Sequence, residues 1–177
     1  MSAHKPLEGV KVVELASFVA APTAGRMMAE MGADVIRVES TAGDPWRFYG
    51  ANCGLPITDE ENPLFDIYNL GKKDIQLNTK TPEGKEILFH LLDEADVFIT
   101  NNRLKSLVRS GLDYESLKDR FPKLIYGLVT GYGQTGPDVD APGYDGVAFF
   151  SRSGMLADMA EIGRASCRER VFWVGVG

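Results

Sequence analysis

An α/β fold, with a mostly parallel, Rossmann-like sheet flanked by helices, is what this sequence predicts. Three observations carry that expectation. Short apolar runs of strand length alternate with segments whose apolar residues recur at helical spacing. The first such unit is a strand, a short helix and a second strand, a βαβ unit whose strands run parallel through a right-handed crossover. Helix start and stop signals fall between the runs: Thr81-Pro82-Glu83 opens one segment, and Gly32 and Gly111 close two others.

Val10 to Leu15 (VKVVEL) reads as a buried strand. Ala16 to Pro22 is a turn. Pro22 pre-sets φ for a helix that runs from Thr23 to Met31, with Met27, Met28 and Met31 on one side. Gly32 stands where a helix-terminating glycine is expected, and Asp34 to Glu39 (DVIRVE) forms the second strand. Thr41 to Pro63 has no period and is rich in Gly, Pro, Asn and Asp, so it reads as a long irregular excursion. Ile75 to Asn78 is a short strand. Thr81 caps a helix whose stripe is Ile87, Leu88, Leu91 and Leu92. Val97 to Thr100 is the next strand. Leu104, Leu107 and Val108 mark a short helix. Asp113 caps another that carries Leu117 and Phe121. Leu124 to Thr130 reads as a further buried strand, and Gly131 to Gly143 as a loop.

Composition limits what such a fold does here. The 177 residues carry 19 Lys+Arg and 25 Asp+Glu, for a net charge of −6. A general nucleic-acid binder is disfavoured by that balance, and a polyanionic ligand needs a local basic patch. Apolar residues make up 44% and aromatic residues 10%, enough for a packed core. Cys53 and Cys167 form neither a zinc site nor a disulfide framework, which points to a reducing, cytoplasmic compartment. No apolar stretch is long enough to span a membrane. The credible chain is read as 1–160. From Glu161 to Val171 the text EIGRASCRERV is what one reading frame of a common sequencing adapter encodes. We therefore expect 161–177 to be read-through, not native sequence.

Three places carry chemistry. The first βα turn, Ala16 to Pro22, lacks the glycines of a dinucleotide fingerprint, so Glu39 at the end of the second strand is a weak mimic of a ribose-binding acid. Ala20 and Ala21 still leave room for a ligand near a helix N-terminus, or serve only helix–sheet packing. Asn101 to Ser110 (NNRLKSLVRS) holds three cations and no acid directly after a strand, where open α/β sheets bind ligands. Arg103 and Arg109 suit phosphate groups through their forked donors, with Lys72, Lys73 and Lys80 adding charge, unless these are solvated surface cations. Gly131 to Pro137 is a ligand loop or a surface turn. His4 and His90 read as structural or solvated. No residues have metal-ligand spacing.

The segments Pro6 to Val12, Gly32 to Glu39, Gly43-Asp44-Pro45, Lys72 to Asn78, Thr81 to Lys85, Ala95-Asp96-Val97 and Gly131 to Gly133 with Gly136-Pro137 occur in an order that resembles the class III coenzyme A transferases, the CaiB/BaiF family. Thr100 to Arg103, Gly111 to Glu115 and Pro142 to Asp145 look most like its 2-hydroxyacyl-CoA members, which act on 2-hydroxyisocaproate or phenyllactate. The resemblance implies a Rossmann-like large domain, of which 1–160 is the N-terminal part, and an interlocked homodimer. It implies coenzyme A carried as acyl-CoA, a small carboxylic acid as the second substrate, and no metal. Coenzyme A contacts would fall on Val19 and Ala20, on Leu77, Asn78, Thr79 and Lys80, on Asn101, Asn102, Arg103 and Arg109, and on Tyr144 and Asp145 towards the thiol end. The family's reaction passes through an aspartyl-CoA thioester. Neither Asp145 nor Asp158 sits in the family's nucleophile motif, so no catalytic residue is assigned and the chain as written is expected to be inactive. The alternatives are an acyl-CoA racemase of the same superfamily, a formyl-CoA:oxalate or carnitine CoA-transferase, and a non-catalytic nucleotide-binding module.

Overall fold

The structure is a computed structural model that describes residues 4–58 and 60–158. The chain divides after Val129 into two compact units. The reading of 161–177 as read-through lies outside the described residues.

Unit one is built on five parallel strands, β1 (Lys11–Leu15), β2 (Asp34–Glu39), β3 (Lys73–Gln76), β4 (Val97–Thr100) and β5 (Ile125–Leu128), in the order β3-β2-β1-β4-β5. All four pairings are parallel, with Val13 opposite Ile36 on one side and Phe98 on the other. The alternation of side chains along β1 splits the core. Val13 and Leu15 join Leu88, Leu92 and Phe98 on one face. Val12 and Ala16 join Ala21, Val35 and Ile99 on the other.

Two helices follow their start signals closely. In α4 (Pro82–Asp93) the Thr81 side chain accepts from Gly84 N at 3.2 Å, and Leu88 and Leu92 are fully buried. Asp113 caps α6 (Tyr114–Leu117) by accepting from Ser116 N at 3.3 Å. Between them, α5 (Leu104–Ser110) stops at Gly111, whose φ of 66° is left-handed.

Five expectations need correction. Helix α1 spans Ala20–Glu30, beginning at Ala20 rather than Thr23. Pro22 lies in its first turn, where no intrahelical partner for its missing N–H is needed. Its buried face is Ala21, Pro22 and Gly25, whereas Met27 and Met31 are exposed. Only small residues let this helix approach the sheet. Ile87 and Val108 are likewise exposed, at the margins of their stripes. The irregular excursion contains helix α2 (Trp46–Tyr49) and a 3₁₀ turn at Gly50–Cys53, and α3 (Pro63–Asn69) begins at its end. Finally, β5 is not buried: Ile125 is exposed, because the strand pairs only with β4 among the described residues.

Unit two holds the Gly131–Gly143 loop, a π-helical turn (Gly146–Ser151) and α7 (Met155–Asp158). The backbones of Gly131 and Gly143 pack together so closely that a Cβ on either would overlap the other. Arg152 pairs with Asp138 at 2.8 Å and stacks over Tyr132.

Candidate functional site

Sheet order places the site. The chain winds from β1 outward through β2 and β3, then returns to the other side of β1 for β4 and β5. The connections therefore diverge at the carboxyl ends of β1 and β4, the crevice where open α/β sheets take ligands. The turn after β1 and the turn after β4 meet there. Asn101 Nδ2 donates to Ser17 O at 2.7 Å, and Ser17 N donates to Asn101 Oδ1 at 3.1 Å.

The next residue, Phe18, has φ 63° and is the one non-glycine residue with positive φ among the described residues. That conformation costs about 1–2 kcal/mol. Its N–H donates to both oxygens of Asp44, at 3.2 and 3.1 Å. Helix α1 starts two residues later with Val19 at the cap position, no capping side chain and no acid in its first turn. An eleven-residue helix with an uncapped N-terminus presents backbone N–H groups and positive dipole charge, which suits a phosphate or an oxyanion.

The expected binding residues distribute unevenly. Val19 is half-buried and Ala20 exposed at this helix start. Asn101 and Asn102 are half-buried beside it, and Asn102 N donates to Thr100 Oγ1 at 3.2 Å. Arg103 is exposed at the α5 cap position, with no ion pair among the described residues. Leu77, Asn78, Thr79 and Lys80 follow β3 at the same sheet end. There Leu77 packs on the core, Asn78 Oδ1 accepts from Lys80 N at 3.2 Å, Thr79 is half-buried, and Lys80 is exposed. Arg109 stands apart, in the last turn of α5, ~9 Å along the axis from Arg103. Tyr144 and Asp145 belong to unit two, where Asp145 Oδ1 caps the π-helical turn by accepting from Gly146 N at 2.9 Å.

Two expected cations are engaged elsewhere. Lys73 pairs with Asp34 at 2.7 Å, at the amino ends of β3 and β2. Lys72 is buried beneath α1, with Nζ 2.8 Å from Glu14 Oε2 and 2.8 Å from Pro22 O. It is the counter-ion of a strand residue and not part of a phosphate patch.

Lys72 belongs to a buried ionic network that sequence reasoning missed. Glu14 and Arg37 face each other across β1 and β2, and both are fully buried. Arg37 also pairs with Glu39 and with Asp44, and Arg47 binds Glu39 at 2.7 Å and Asp74 at 2.6 Å. Burial pushes the Glu14 carboxyl up and the Lys72 ammonium down. Burial opposes the Glu39 charge too, yet hydrogen bonds from Arg47 and Asp74 and the two guanidinium charges hold its carboxyl below the usual range. Asp74 is pushed up to about 6 by burial, then by its hydrogen bond to Glu39 and the Glu39 charge. The signal was present in the sequence: an acid inside VVEL and a base inside DVIRVE are opposite charges in two strands that otherwise read as buried.

The chain belongs to CoA-transferase family III, whose model matches residues 7–175. The cinnamoyl-CoA:phenyllactate CoA-transferase of Clostridium sporogenes is 52% identical over 155 residues, 88% of this chain and 38% of that enzyme. The (R)-2-hydroxy-4-methylpentanoate CoA-transferase of Clostridioides difficile is 46% identical over 157 residues, 89% of this chain and 39% of that enzyme. A crystal structure of a CaiB/BaiF family protein from Brucella suis superposes with a TM-score of 0.79 at 40% identity, covering 92% of this chain and 44% of that one. The chain thus spans about two-fifths of the length of the curated relatives it matches. No helix of the described residues is long and apolar enough to cross a membrane.

Proposed function

We propose that the chain is the coenzyme A-binding part of an enzyme that moves CoA between an acyl-CoA and a small carboxylic acid, with a 2-hydroxy acid as donor or acceptor. The observation that carries this reading is the uncapped α1 N-terminus at the sheet's switch point, with Arg103, which has no ion pair among the described residues, on the neighbouring strand turn. Its residues fit an anionic nucleotide. Val19 and Ala20 offer backbone N–H groups without bulky side chains, while Lys80 and Arg103 supply charge at the same sheet end. The 2-hydroxyacyl preference rests on the activities named for the two clostridial relatives. The group that carries the acyl adduct is not assigned among residues 1–160, so we propose that this chain binds CoA without turning it over. The intact enzyme is proposed to be a cytoplasmic homodimer. Residues 161–177 are proposed to be read-through, which re-sequencing across codon 160 tests.

Calorimetric titration of the 177-residue chain with CoA checks the reading. Arg103→Ala is expected to weaken binding roughly tenfold, the worth of one charge-assisted hydrogen bond. Unchanged affinity would favour a nucleotide-binding module of another kind. In a CoA-exchange assay with a 2-hydroxyacyl-CoA the same chain is expected to show no turnover, and measurable turnover would place the nucleophile within it.

A further inference from the structure

We infer that Asp44 is a positioning residue for CoA binding: it holds Phe18 in its left-handed conformation, so that the N–H groups of Val19 and Ala20 face the crevice. This rests on the CoA-binding reading of that crevice. Asp44 is 2% exposed, although it lies in the loop between β2 and α2. Its carboxylate accepts the Phe18 N–H on both oxygens and the Trp46 N–H at 2.9 Å. Arg37, fully buried, pairs with the same carboxylate and so fixes it from below. The Asp44 N–H donates in turn to Glu39 Oε2 at 3.1 Å, which ties the segment to the end of β2. Ser17 is held from the other side by Asn101. The two consecutive N–H groups at 17 and 18 are thereby turned onto fixed side chains. The chain then reverses at Phe18, and the N–H groups that follow belong to the open helix end. Loss of the Asp44 carboxylate removes the hydrogen bonds that offset the strain at Phe18, and relaxation to negative φ would re-aim Val19 and Ala20. Trp46, edge-on to Phe18 with ring centroids 6.4 Å apart, restricts the ring.

The test combines two substitutions with CoA titration of the 177-residue chain. Asp44→Ala, which removes both acceptor oxygens, is expected to weaken CoA binding at least tenfold in the wild-type background. In a Phe18→Gly background, where the left-handed conformation is unstrained, it is expected to cost less than threefold. Equal losses in both backgrounds would mean that Asp44 serves only as the buried partner of Arg37, and would overturn the inference. A second measurement needs neither substitution nor ligand. Hydrogen exchange of the wild-type chain read by NMR is expected to show the Phe18 amide protected at least a hundredfold, and an amide exchanging at the unprotected rate would also overturn it. If the wild-type chain binds no CoA while Phe18 is protected, it is the CoA reading that fails, and the clamp stands.

Discussion

Asp74 lies at the partly exposed margin of the buried ionic network. Its carboxyl is raised from 3.8 to about 6, so the folded chain binds a proton there that the unfolded chain lacks between those values. Stability from this group therefore rises as pH falls through about 6 towards 4, and is lost as pH rises. Glu39, held below its usual range, has the opposite sign, and its contribution is lost only at more acid pH. Wild type is expected to gain about 1–2 kcal/mol over Asp74→Asn between pH ~6.5 and ~4, read as Tm across that range. A constant difference would mean that Asp74 does not titrate there. At this scale the sequence was partly legible. Ala20 and the stretch beginning at Asn101 stood out from their place after strands, whereas Val19 was named only through the family resemblance. Glu14, Arg37 and Lys72 escaped notice as partners because pairing across strands separated by tens of residues leaves no local periodicity.

Element α1 shows how a strand dictates the composition of its covering helix. Gly25 faces Glu14, and a Cβ there would overlap the Glu14 carboxylate, which Lys72 pins at 2.8 Å. Gly→Ala inside a helix ordinarily stabilises by about 0.5–1 kcal/mol. Here Gly25→Ala is expected to destabilise by about 1–3 kcal/mol, because the carboxylate is fixed between Lys72 and Arg37 and cannot shift without weakening its buried pairs. Urea denaturation of the variant measures the sign. The same contact explains why the methionine stripe did not mark the buried face: the helix approaches on Ala21, Pro22 and Gly25, and hydrophobicity alone cannot rank small residues above large ones. Elements with explicit caps, such as α4 and α6, were readable to within a residue or two at their starts. The end of α6 was not, since Phe121 is buried beyond the helix by the chain's path into β5.

Across the whole molecule, a chain of net charge −6 is proposed to bind a polyanion. Local cations and backbone dipoles must then outweigh a repulsive background, and that balance is sensitive to salt. CoA affinity is expected to fall as salt rises from about 0.05 to about 0.5 M, and Arg103→Ala to flatten the slope, both measurable by titration at several salt concentrations. The parallel sheet and its βαβ winding followed from the order of apolar runs. The exposure of β5 did not, because an apolar run reads alike at a sheet's centre and at its edge. The sheet order has one more consequence. β1 is made first yet lies in the middle, so it gains β2 once residue 39 has emerged and β4 only after residue 100. During synthesis its second flank stays open while some sixty further residues are added, an unpaired edge of apolar backbone. The nascent chain is therefore most prone to misassociate just before the segment bearing Asn101 arrives to close it.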